Sequence, residues 1–97
     1  MGKVIQDVDV RERVDGFLDY LFQQWANVPE QAADWNEWDE DSKVDFILDW
    51  PICEDRLQQL RRYADEGMLM PEQTAQYRKL LRLVSRNRPV LERMLQT

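Results

Sequence analysis

Residues Tyr63 to Leu81, YADEGMLMPEQTAQYRKLL, predict two helices joined by a short connector. We expect Gly67 directly after the first helix, because glycine readily adopts the left-handed conformation that stops a helix. Pro71 suits the first position of the next helix, and Glu72 lies beside the positive end of that helix dipole. Many unrelated helical proteins use such a connector, so it predicts a local structure and indicates no family.

The helix that starts at Pro71 has one apolar stripe at helical spacing. We expect this helix to end at Asn87, because Pro89 cannot continue the backbone hydrogen bonds. A short terminal helix is predicted beyond that break. The stripe consists of Tyr77, Leu80, Leu81 and Val84, and the terminal helix carries Val90, Leu91, Met94 and Leu95.

Upstream of the connector, Pro51 interrupts a helical pattern. The segment from Val44 to Trp50 is nearly all apolar, and a helix that is apolar on most sides should be buried on most sides. Beyond Pro51, a second stripe runs to about Glu66 and consists of Cys53, Leu57, Leu60 and Ala64. We therefore predict two helices with a sharp bend at Pro51.

The N-terminal third carries the longest amphipathic pattern, which Val28-Pro29 ends. Its apolar face consists of Val10, Val14, Phe17, Leu18, Leu21, Phe22 and Trp25. Between Pro29 and Asp41 we predict a short turn of helix followed by a loop. No segment alternates with a period of two, so the sequence predicts an all-α fold. We expect a compact bundle of four to five helices with short connections, in a single domain over residues 1–97.

Composition excludes several chemistries. The chain has no histidine, three glycines and a single cysteine, Cys53. These counts exclude His-dependent catalysis, an intrachain disulfide, multi-thiolate metal sites and glycine-rich nucleotide loops. We therefore predict no catalytic residue, cofactor or metal site, and a non-enzymatic role is favoured. The sequence has no apolar run of signal-peptide or membrane-span length, which favours a soluble, cytoplasmic protein without membrane contacts.

The net charge of −6 conceals an asymmetry between the two halves of the chain. Residues 1–50 carry 13 acidic and 4 basic side chains, whereas residues 51–97 carry 6 acidic and 9 basic ones. The first half therefore has a charge of −9 and the second half a charge of +3. Such segregation indicates either that the halves pair with each other or that they contact partners of opposite charge.

An acidic ladder with a spacing of four lies in the first half and consists of Glu37, Asp41, Asp45 and Asp49. On a continuous helix these carboxylates would share one face. The pattern favours a solvated acidic face. Two alternatives stay open, namely pairing with a basic surface and binding of a divalent cation, although the EF-hand pattern is missing.

A basic ladder with the same spacing lies in the second half and consists of Arg78, Arg82 and Arg86. Arginine guanidinium groups bind carboxylates or phosphates through two hydrogen bonds. The ladder therefore fits an acidic protein surface or a nucleic-acid backbone. The acidic charge of the whole chain disfavours nucleic acid. The simplest interpretation is an amphipathic helix with a solvated basic flank. A more specific one is that this ladder pairs with the acidic ladder, within one chain or between two.

Four tryptophans are many for 97 residues. Trp25 and Trp50 lie on apolar faces and are predicted core residues, as is the buried, inert thiol of Cys53. Trp35 and Trp38 stand among carboxylates, and tryptophan is enriched at binding hot spots. We expect at least one of these two to anchor the core, and we retain both as candidate interface residues.

These observations predict a small non-enzymatic helical protein that mediates protein–protein interaction, as an adaptor, a regulator or an accessory subunit. Its partner is another protein or a second copy of the chain. The alternatives are a nucleic-acid regulator, either a binder through the arginine helix or an acidic mimic, and a metal binder or enzyme that uses carboxylates alone. The predicted interface comprises the two tryptophans and the two ladders: Trp35, Trp38, Glu37, Asp41, Asp45, Asp49, Arg78, Arg82 and Arg86.

Overall fold

Helices make up nearly all of the structure. A computed structural model describes the backbone of residues 2–96 and the side chains of residues 8–96. Within residues 2–96 there is no strand, which confirms the all-α class. The helices are α1 (Gly2–Ala26), α2 (Val28–Asp34), a 3₁₀ helix (Trp35–Glu37), α3 (Glu40–Asp65) and α4 (Pro71–Gln96).

Helices α3 and α4 are joined by the predicted connector, and α1 packs against both of them. Gly67 has a φ of 72°, which confirms its place in the left-handed region after α3. Buried Gln73 then ties the connector to α1, since its side-chain amide donates to the Arg11 carbonyl at 3.0 Å and to Asp15 Oδ1 at 2.7 Å. Its Oε1 accepts a hydrogen bond of 2.9 Å from the backbone N–H of Met70.

The predicted helix breaks at Pro51 and Pro89 are wrong, because both prolines lie inside continuous helices. A proline inside a helix costs about 3 kcal/mol or more and leaves one carbonyl without its partner. Both prolines are exposed, as are the residues that own those carbonyls, so water can reach them. Buried residues on each side of the prolines anchor both halves of each helix in the core: Trp50 and Cys53 in α3, and Asn87 and Leu91 in α4.

Residues 2–96 form three long helices, short α2 and one 3₁₀ turn, which matches the expected four to five helices only in part, and the bundle is elongated. Its Cα atoms extend over 53 × 24 × 16 Å, with a radius of gyration of 15.6 Å. A compact chain of this length has a radius of gyration of about 12.5 Å. One core runs along the molecule, and its most buried members are Val14, Leu18, Leu21, Trp25, Val28, Cys53, Leu60, Leu80 and Leu91. The thin, elongated shape leaves the outer faces of α3 and α4 without a second layer.

Candidate protein interface

The first half of α3 exposes an apolar face to solvent. Val44, Leu48 and Ile52 follow each other at a spacing of four and are 49%, 68% and 48% exposed. Ile47, which is 45% exposed, borders them. Residues four apart stack on one side of a helix, so these side chains form a continuous surface over about three turns. We call Val44, Ile47, Leu48 and Ile52 the outer apolar face of α3.

The same helix buries its opposite side. Trp50, Cys53 and Leu60 are buried, and Phe46 and Leu57 pack against the core. The expectation that this nearly all-apolar helix is buried on most sides is therefore wrong within one chain. The helix has two apolar faces, and the fold of the chain covers only one of them.

An aromatic cluster holds this half of α3 in place. Trp35 is only 3% exposed, and its ring lies 5.3 Å from Trp38 and 5.5 Å from Phe46. Phe46 stacks on Trp50 at 5.4 Å, and Trp50 meets Trp25 edge-on at 5.0 Å. The prediction that at least one of Trp35 and Trp38 anchors the core is thus confirmed for Trp35. Trp38 is half-buried and packs against the core, so it presents part of its ring beside the start of α3.

Glu54 of α3 and Arg88 of α4 form a bidentate ion pair. Arg88 Nη1 donates to Glu54 Oε2 at 2.9 Å, and Nη2 donates to Oε1 at 3.1 Å. Trp50 Nε1 also donates to Oε2 at 3.0 Å, and the guanidinium lies 4.9 Å from the ring of Trp25. Burial raises the pKa of Glu54, but the hydrogen bonds from Arg88 and Trp50 outweigh it and hold the pKa below its ordinary value. This ion pair is a direct side-chain contact between α3 and α4.

The acidic ladder is divided between two elements. Glu37 lies in the 3₁₀ helix, whereas Asp41, Asp45 and Asp49 lie on α3. All four are exposed, and the three on α3 lie along the outer apolar face. Within residues 8–96, no group of three or more carboxylate or cysteine side chains is placed to hold a metal ion.

The basic ladder is intact on α4. Arg78, Arg82 and Arg86 are exposed on the side away from buried Leu80 and Val84. Leu81, which is 41% exposed, lies between the first two arginines. The ion pairs within residues 8–96 are Arg61–Asp65 and Arg88–Glu54, so the two ladders do not pair inside one chain.

Cys53 lies in the core, on the inner side of α3. Burial raises the pKa of its thiol to about 12, so the thiol stays protonated at neutral pH. A thiol in this state is a poor nucleophile and metal ligand.

Comparison of the chain with protein-family models, with curated proteins and with solved structures finds no match. No helix among the described residues is long and apolar enough to cross a membrane. The surface of the chain therefore has to indicate the function, and its main feature is one that sequence reasoning missed. The outer apolar face was assigned to the core, although its spacing of four, on the side opposite Phe46 and Trp50, was visible in the sequence.

Proposed function

We propose that the chain is a non-enzymatic helical protein that works by binding another protein through the outer face of α3. The exposed apolar side chains of Val44, Ile47, Leu48 and Ile52 carry this proposal. Single exposed apolar residues are common on protein surfaces, but a contiguous apolar face is typical of an interaction site. Covering such a face removes apolar area from water and thereby favours association.

The surroundings of the face support the same function. The aromatic cluster and the Glu54–Arg88 ion pair anchor α3 to the rest of the fold, so a partner would meet a preformed face. Carboxylates of Asp41, Asp45 and Asp49 border the apolar side chains, as a polar rim borders the centre of many interfaces. Rim charges steer a partner and select it. A role as an adaptor, a regulator or an accessory subunit fits these properties.

Site-specific photo-cross-linking in the cells that make the protein tests this function. A photoreactive amino acid replaces Leu48 in one variant and Gln23, an exposed residue of α1, in the matched control. We expect a discrete covalent adduct with a protein from position 48 and none from position 23. The proposal fails if position 48 gives no adduct, or if both positions give the same adducts.

A further inference from the structure

Two surfaces of this chain are complementary in charge. Residues 40–55, the first part of α3, carry six acidic side chains and one basic side chain. Residues 75–93 of α4 carry six basic side chains and one acidic side chain. The segments therefore have opposite charges of equal size, and each includes a ladder of three exposed charges at a spacing of four.

The ladder positions also match in geometry. Asp41, Asp45 and Asp49 repeat along α3 at about 6 Å per step, since an α-helix rises 1.5 Å per residue. Arg78, Arg82 and Arg86 repeat along α4 at the same step. Two helices side by side can therefore bring successive members of the two ladders together.

Neither ladder forms ion pairs with other described residues of the same chain. The ladder residues on both helices are exposed, and the ion pairs within residues 8–96 include none of them. Glu54 and Arg88 pair with each other inside the chain, and no ladder residue takes part in that contact. A second molecule can reach both surfaces without any change in the fold.

We propose that the outer face of α3 in one copy of this chain binds the basic face of α4 in a second copy. Asp45 and Asp49 pair with arginines of the basic ladder in this contact. Leu48 and Ile52 pack against Leu81 and the aliphatic stems of those arginines, which cover apolar surface while the guanidinium groups stay near water. The inference rests on the proposed function, because it names the partner of the same face.

Charge also argues against the simpler pairing of two α3 helices. Such a contact would bring together two surfaces that each carry six acidic side chains and one basic side chain in residues 40–55. Like charges in apposition oppose association. The contact between α3 and α4 replaces this repulsion by attraction. A contact between two different surfaces gives either a closed dimer, in which each copy uses both surfaces, or an open-ended row of copies.

Charge reversal with complementation tests the proposal. The first variant carries Asp45→Lys and Asp49→Lys, and the second carries Arg78→Glu and Arg82→Glu. All four positions are exposed, and thermal unfolding checks that both variants keep the fold. Sedimentation velocity at low salt then measures the mass of wild type, of each variant and of the equimolar mixture of the two variants.

We expect wild type to associate in a concentration-dependent way and each variant alone to associate at least about tenfold more weakly. The mixture should regain association, because the lysines of one variant meet the glutamates of the other. High salt should weaken the wild-type complex. Asp19→Lys, an exposed change on α1, is the control that should leave association unchanged.

Three results would overturn self-pairing: a monomeric wild type at all concentrations tested, full association of the second variant alone, or a mixture that stays monomeric while wild type associates. The first of these leaves the function itself testable, because an adduct of position 48 with a different protein would still support an interaction role. An adduct with twice the mass of the chain would instead support pairing of two copies.

Discussion

The side-chain amide of Asn87 donates a hydrogen bond of 2.8 Å to the backbone carbonyl of Trp25. In a continuous helix this carbonyl would accept from the N–H of residue 29, but Pro29 has no N–H. Asn87 is buried, at 4% exposure, and lies 62 residues further along the chain. A residue of α4 therefore completes the hydrogen bonding at the end of α1.

Replacing Asn87 by alanine should lower the free energy of unfolding by about 1–3 kcal/mol, because a buried carbonyl loses its partner. Urea unfolding measures the change. Gln76→Ala, an exposed amide on the same helix, is the control and should have little effect. If Pro29→Ala is introduced first, the new N–H can serve Trp25, and the cost of Asn87→Ala should shrink. Equal costs in both backgrounds would contradict this role of Asn87.

The ion pair between Glu54 and Arg88 predicts a pH-dependent contribution to stability. The pKa of Glu54 is lowered in the folded chain, so its stabilising effect is present above the unfolded pKa and is lost as pH falls through the folded pKa. At pH 7, Glu54→Gln should lower the free energy of unfolding by about 1–2 kcal/mol, since both groups are partly exposed. The difference between wild type and variant should shrink in acid.

The exposed pair of Arg61 and Asp65 provides the control for this measurement. Its side chains are 76% and 73% exposed, so Asp65→Asn should change stability little at any pH. Urea unfolding of both variants across the acid range gives the comparison. A constant effect of Glu54→Gln down to the lowest pH would show that its carboxylate charge is not what stabilises the fold.

Truncation of Trp35 should lower the free energy of unfolding, because this ring holds the N-terminal half of α3 against the core. Trp35→Ala removes a buried ring from the cluster with Phe46 and should cost about 3–5 kcal/mol. Trp38→Ala should cost less, because Trp38 is half-buried. Thermal unfolding compares the stability of the two variants. A larger loss of stability for Trp38→Ala than for Trp35→Ala would contradict the placement of the two rings.

The thiol of Cys53 should react slowly with a disulfide reagent in the native protein. Burial keeps the thiol protonated, with a pKa of about 12, and also shields it from the reagent. Absorbance at neutral pH follows the reaction, and unfolding in urea should accelerate it by orders of magnitude. Rapid, complete labelling of native protein would mean that this side of α3 opens easily.

Structure that depends on a residue's own backbone could be predicted from the sequence. Gly67 and Pro71 act on their own backbone, so the connector between α3 and α4 is where it was predicted. Pro51 and Pro89 also act locally, but the packing of Trp50, Cys53 and Asn87 in a shared core outweighs them. The helix breaks expected at both prolines are therefore missing.

Contacts between distant residues could not be read in this way. Glu54 and Arg88 are 34 residues apart, and neither position stands out in the sequence. Periodicity likewise shows that α3 has two apolar sides, but it does not show how many neighbours the chain provides. In the structure α1 packs against one of these sides, and the outer apolar face is left exposed. The ladders could be predicted as charge patterns, and whether they pair depends on how α3 and α4 are oriented.

The proposed function requires that another protein surface covers the outer apolar face of α3. Hydroxyl-radical footprinting tests this directly, by comparing side-chain oxidation in dilute purified protein with oxidation in a concentrated extract of the cells that make it. We expect oxidation of Leu48 and Ile52 to fall severalfold in the extract relative to that of Leu95, an exposed leucine of α4 outside the proposed contact. Equal oxidation of Leu48 and Ile52, relative to Leu95, in both samples would contradict the account.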